Sequence, residues 1–241
     1  RGGGDGGGDG GEQRRESSAW VVDDAERAVV MLGFPTVNRW GVRRALEAAG
    51  RVEAQAARQG WPGRRNGRLH ASRCLTVALD VLNNRLYEEV RERLNLVYDV
   101  RMSWAPFEVY SAGLVTVEFS PAPDEASVDA ATEAVVRTLR GALEEGFTTE
   151  EFERARVPLV AAMREAVETN AFWQEILCGL QTGLSHKSLD CMVEVPEGYA
   201  ALALDEVVEE ARKAWGAWAS SLHRCVSRSG PIFRHPLSPA A

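Results

Sequence analysis

Apolar positions along the chain change period in a way that lays out its elements. Ala28-Val29-Val30-Met31-Leu32 runs unbroken into Gly33-Phe34-Pro35. Residues 26–37 therefore have the length and continuity of a buried strand ending at a turn, predicted to be central in a sheet. From residue 72 to 95 the period becomes helical. Leu75, Leu79, Leu82, Leu86, Val90 and Leu94 recur at three- and four-residue intervals and share one face, with Ser72 as the candidate N-cap. Residues 96–104 and 109–119 read as two strands around Ala105-Pro106-Phe107. In the second, Val115, Val117 and Phe119 alternate with Leu114, Thr116 and Glu118, giving one buried and one wetter face.

Helical signals follow. Past Pro121 and Pro123, Asp124 can cap a helix that turns Val128, Val135, Leu139 and Leu143 toward a core, and Gly146 closes it. Thr148 and Glu151 have capping-box spacing and open a helix with Phe152, Leu159, Met163 and Val167 on its buried side. Pro158 is expected to kink that helix or to mark a later start. Thr169-Asn170 breaks the pattern before Phe172, Trp173, Ile176, Leu177 and Leu180; a polar loop then precedes a last amphipathic helix over 205–215, with Val207, Val208, Ala211 and Trp215. The order of strands and helices is an α+β layout with helices packed on a sheet.

Three stretches stand outside this scheme. Residues 1–18 are mostly Gly with polar residues, read as a flexible linker, and their opening at Arg1 inside low-complexity sequence suggests a piece of a longer product. Within a surface excursion at 40–70, residues 40–58 have helical composition, while Gly60, Pro62, Gly63 and Gly67 break the chain beside Arg64, Arg65 and Arg68, read as solvated loop charges. In the tail, 219–241, Pro231, Pro236 and Pro239 predict little regular structure. The domain proper is placed at 19–218.

Composition then removes several functions. With 35 acidic against 28 basic residues and a formal charge of -7, the chain carries no broad footprint for nucleic-acid phosphates, and no nucleic-acid partner is expected. No apolar run approaches the roughly 18 residues of a membrane span. Cys74, Cys178, Cys191 and Cys225 form no CxxC pair, are expected to be buried free thiols, and set no compartment. No G-x-S-x-G elbow surrounds Ser17, Ser18, Ser220, Ser221, Ser227 or Ser229, and the Gly-rich start lacks the Lys-Ser/Thr of a phosphate-cradling loop.

Four motifs in fixed order narrow the field. The segment from Arg85 to Tyr98, Arg85-Leu86-Tyr87-Glu88-Glu89-Val90-Arg91-Glu92-Arg93-Leu94-Asn95-Leu96-Val97-Tyr98, resembles R-L-x-x-x-(I/L/V)-R-E-x-L-G-L-x-Y of the pitrilysin/insulinase family of zinc metallopeptidases, which includes mitochondrial-processing-peptidase-like members. Asn95 stands where the family has Gly, and Asn is the next best residue for a left-handed helix end. Glu145-Gly146-Phe147-Thr148-Thr149-Glu150-Glu151 resembles the family's E-G-x-T-x-E-E connection, Glu168-Thr169-Asn170-Ala171-Phe172-Trp173 its E-T-N-x-(F/Y)-W stretch, and Leu204-Asp205-Glu206-Val207 its last helix start.

The resemblance is to the C-terminal, non-zinc half-domain. It implies a mixed, largely antiparallel sheet with helices packed on one face, and a zinc-bearing N-terminal half-domain or subunit as partner. The family's H-x-x-E-H zinc motif is absent here: His70, His186, His223 and His235 are far apart. No metal site is expected in this chain, and zinc is expected in the partner half. The resemblance also implies that Arg91 and Tyr98, seven positions apart, are the pair that reaches substrate: a phenol hydroxyl donating to a developing oxyanion and a guanidinium fork holding a peptide carbonyl. Read on periodicity alone, Arg91 is a solvated helix charge and Tyr98 a half-buried strand aromatic. The expected function is the substrate-binding half of a zinc metalloendopeptidase, inactive alone. The alternative is a non-catalytic structural or interaction subunit of the same family.

Overall fold

The computed structural model describes residues 15–39, 67–107, 112–180, 195–216 and 218–231. In chain order the elements are β1 (Arg15–Val22), β2 (Arg27–Thr36), α1 (Gly67–Leu86), β3 (Val97–Pro106), β4 (Gly113–Pro121), α2 (Glu125–Glu145), α3 (Thr149–Ala166), α4 (Asn170–Leu180), α5 (Val195–Ala200), α6 (Leu204–Trp215) and β5 (His223–Gly230). A π-helix, Tyr87–Arg93, continues α1, and a 3-10 turn, Trp218–Ser221, precedes β5.

One sheet of order β1-β5-β2-β4-β3 joins the strands, so β2 is central as its unbroken apolar run predicts. Only β1 and β5 pair in parallel; β2 with β5, β2 with β4 and β3 with β4 are antiparallel. The register sets Val30 against Phe119, Leu32 against Val117 and Phe34 against Val115, placing six large apolar residues on one face. They share a core with Leu82, Leu86 and Val90, with Val135 and Leu139 of α2, and with Trp215 of α6. The other face is open: Met31 and Leu114 are 41% and 40% exposed. Helices thus cover one face of a mixed, mostly antiparallel sheet, the α+β architecture expected.

The caps of α2 and α3 stand where the sequence placed them. Asp124 accepts from the Ser127 amide at 2.9 Å to start α2. Gly146 (φ 87, ψ -162) ends it, in a backbone region open almost solely to glycine. At α3, Thr148 Oγ1 accepts from Glu151 N–H at 3.2 Å and Glu151 Oε2 accepts from Thr148 N–H at 2.7 Å, the reciprocal capping box. Pro158 lies inside α3, which starts at Thr149 rather than later.

Other expectations are corrected. Residues 15–18, read as linker, belong to β1, and residues 223–230 of the tail read as irregular form β5, inserted between β1 and β2. Its sequence, His-Arg-Cys-Val-Ser-Arg-Ser-Gly, has a single large apolar residue, Val226, buried beneath it, so periodicity carries little signal; the strand is held by ladders on both sides. Ser72 caps nothing, because α1 begins five residues earlier at Gly67, and the Ser72 carbonyl instead accepts from Thr76 Oγ1 at 2.9 Å inside the helix. A short helix, α5, lies within the predicted polar loop. Cys74 is buried, but Cys178 is exposed. The predicted helix over 40–58, most of the excursion and Cys191 lie outside the described residues.

At the sheet's edge, β3 exposes one row of backbone groups. Asn83 of α1 occupies the middle of that row: its amide donates to Met102 O at 2.9 Å while Met102 N–H donates to Asn83 Oδ1 at 2.8 Å.

Candidate substrate-binding site

The end of the long helix is built on a four-residue step, Leu82, Leu86, Val90 and Leu94. A straight α-helix turns about 100° per residue, so that step drifts by about 40° each time. Wider turns closed by i→i+5 hydrogen bonds cancel the drift, and the π-helix supplies them: Leu94 N–H donates to Glu89 O at 3.0 Å. Leu86 and Val90 are in consequence both fully buried. The same winding brings a second four-residue series, Tyr87, Arg91 and Asn95, to one wall of an open depression of about 810 Å³.

Asn95 leaves the helix at φ 49, the left-handed turn expected of it, and β3 starts two residues on. The β3–β4 register slips between Val97 and Val100, three residues on β3 spanning what two span on β4. Tyr98 sits in that bulge, 82% exposed, far more than a half-buried strand aromatic would be. It lines the same depression as Arg91, together with Ser120 of β4. The structure thus brings Arg91 and Tyr98 to one surface.

Arg91 differs from its neighbours in how it is held. Arg85 pairs with Glu151, Arg93 with Glu89 and Arg154 with Glu88. No described residue forms an ion pair or hydrogen bond with the Arg91 side chain; its guanidinium carbon lies 4.7 Å from the centroid of the Tyr87 ring. Sequence reasoning missed Tyr87 and Ser120, and the legible signal for Tyr87 was its four-residue spacing from Arg91. Chemically the site offers hydrogen-bond donors, a guanidinium fork and a phenol, with Glu92 the one carboxylate among the lining residues.

Among the described residues no group of three or more His, Cys, Asp or Glu is placed to hold a metal ion, so those residues do not fit a zinc site. His70 approaches Cys74 Sγ at 3.5 Å, and burial, aided by Glu210 and Glu206, pushes that thiol far above its usual range. Cys74 is a core group rather than a nucleophile. His223 Nε2 lies 3.0 Å from Ser17 Oγ on the exposed β1–β5 ladder, and no described carboxylate orients the ring. His186 and His235 lie outside the described residues.

The chain is similar in sequence to the chloroplastic stromal processing peptidases of Pisum sativum (26% identical, covering 86% of this chain and 18% of that protein) and of Oryza sativa subsp. indica (25%, 88% and 18%). It therefore spans under a fifth of the length of these relatives. In fold it is similar to a peptidase M16 inactive domain from Pseudomonas fluorescens (TM-score 0.62, 14% identical, 92% of this chain and 45% of that one). A periplasmic protease, PqqL, from Escherichia coli also matches (TM-score 0.63, 11% identical, 91% and 21%). The sequence profile described as the peptidase M16 inactive domain matches residues 12–159, more than half of the chain and inclusive of the segment that carries Arg91 and Tyr98. By that match, with the sheet and helices of such domains around it, this chain belongs to the peptidase M16 inactive-domain family.

Proposed function

We propose that this chain is the substrate-binding, non-zinc half of a zinc metalloendopeptidase, completed by a zinc-bearing half-domain or subunit. The observation that carries the reading is the presence, on one open depression, of a guanidinium that forms no ion pair with any described carboxylate and a tyrosine presented almost fully to solvent. Neither a cation without a described carboxylate partner nor a tyrosine 82% exposed is explained by core packing. Both suit a peptide lying across the surface.

Zinc in the partner half would activate the attacking water. This chain's part is to bind and orient: Arg91 holds a main-chain carbonyl by its N–H fork, and the Tyr98 hydroxyl donates to the carbonyl oxygen as negative charge develops there. The name shared by the sequence relatives, processing peptidase, supports a polypeptide substrate. Neither residue supplies a nucleophile, so the chain alone is inactive in this reading.

The test is reconstitution. This chain and a zinc-bearing half of the same family are purified separately, combined, and assayed on an unfolded polypeptide. Cleavage by the pair and by neither part is the expected result. A stable pair that cleaves nothing would assign the chain to a non-catalytic interaction role instead.

A further inference from the structure

Arg91 presents a positioning problem. A guanidinium on a long, flexible stem at the mouth of an open depression loses conformational freedom when it engages a ligand. Proteins usually hold such a group with a carboxylate, as the three neighbouring arginines are held here. A carboxylate, however, occupies the in-plane N–H donors and cancels the charge, leaving little for a ligand. An aromatic ring beneath the plane holds the cation through its face and leaves the five in-plane donors uncommitted.

Tyr87 stands in that relation to Arg91. Its ring centroid is 4.7 Å from the guanidinium carbon, it is 39% exposed, and both residues line the depression with Tyr98. The π-helix maintains the four-residue alignment that stacks them. We infer that Tyr87 is a positioning residue whose ring holds the Arg91 guanidinium in place with its hydrogen-bond donors free for substrate. This rests on the reading of Arg91 as a substrate-binding group, and it adds a residue that acts only through Arg91.

Two measurements test it. The first uses the chain alone: the Nε–Hε resonance of Arg91 is expected upfield from ring current in the native protein and in Tyr87→Phe, and at the position of a free arginine in Tyr87→Leu. Circular dichroism confirms that each variant folds. An Arg91 resonance that Tyr87→Leu leaves unmoved overturns the inference whatever the chain's function. The second uses the reconstituted peptidase on an internally quenched peptide. Tyr87→Leu should raise KM about two- to fivefold with kcat nearly constant, Tyr87→Phe should restore KM, and Tyr87→Leu should have no effect once Arg91 is already Ala. If Arg91→Ala raises KM and Tyr87→Leu does not, the positioning role fails while the reading of Arg91 stands. If neither substitution changes KM, the reading of Arg91 fails and this role with it.

Discussion

Arg85 of α1 and Glu151 of α3, 66 residues apart in sequence, form a two-pronged ion pair: Nε to Oε1 at 2.5 Å and Nη2 to Oε2 at 2.8 Å. The same guanidinium donates to Gly146 O at 2.8 Å, and the same carboxylate accepts from the amide and hydroxyl of Thr148. One pair of side chains therefore satisfies the end of α2, the start of α3 and the flank of α1. The two most recognisable motifs of the sequence meet here, and much of what makes them recognisable is architecture.

Glu151 makes that junction sensitive to acid. Hydrogen bonds from Arg85, with those from Thr148, lower its pKa from 4.5 to about 2. A carboxylate depressed in the folded state contributes stability that is fully present above its unfolded pKa and is lost as pH falls through the folded one. Urea unfolding followed from pH 7 downward should show this contribution declining between about 4.5 and about 2. Glu151→Gln should cost about 2 kcal/mol at neutral pH and flatten that window. An unchanged profile in the variant would mean that other carboxylates set the acid limit.

At Gly146 the expected effect is conformational. With φ 87 and ψ -162, an alanine here should cost about 1–3 kcal/mol, although its added carbon would meet nothing nearer than Val208 Cγ1, at 3.4 Å. Thermal and urea denaturation of Gly146→Ala measure it. A loss below about 0.5 kcal/mol would show that the backbone relaxes out of this region freely.

Asn83 should matter for solubility as well as stability. Asn83→Ala removes both hydrogen bonds to Met102 at the β3 edge, worth about 1–3 kcal/mol together. It also frees the Met102 N–H and C=O, in the middle of the exposed β3 edge, to pair with another chain. Light scattering at rising concentration should show self-association that the native protein lacks. A variant that stays monomeric would leave Asn83 a stabilising contact only.

For the proposed site, Tyr98→Phe in the reconstituted peptidase should lower kcat by roughly 10²-fold, because one transition-state hydrogen bond is removed. Arg91→Ala should act mainly on KM. Tyr98 is so exposed that its unfolding midpoint should not move. Kinetics unchanged from the native pair in both variants would return these residues to the surface of a scaffold.

How much of this was legible depended on whether an element's signal is in its side chains. β2, β4 and the buried face of the α1 to Arg93 run announce themselves because Val30, Leu32, Phe119 and Leu86 are placed by burial, which is what hydrophobic period reports. The caps at Asp124, Gly146 and Thr148 were equally readable, since each solves a local hydrogen-bonding or dihedral requirement. β1 and β5 were not, because their strand character comes from pairing with each other and with β2. At the site, the motif supplied Arg91 and Tyr98 by name, but the ring under Arg91 and the bulge under Tyr98 are properties of three-dimensional winding. The four-residue step from Tyr87 to Arg91 to Asn95 contains the first of these in outline.

The place of β5 has a consequence for how the protein is made. Among the described strands β1 pairs with β5 alone, and the Glu16–Arg224 pair on that ladder joins residues 208 apart. During vectorial synthesis at roughly 5–20 residues per second, β1 leaves the ribosome some tens of seconds before the strand that will receive it exists. Over that interval the flank of β2 that β5 will cover stands bare, a template for any strand within reach. β5, the latest in chain order of the described strands, is thus the keystone of the sheet, and a nascent chain that stalls before residue 223 should be a far better client for chaperones than one that stalls just past residue 230.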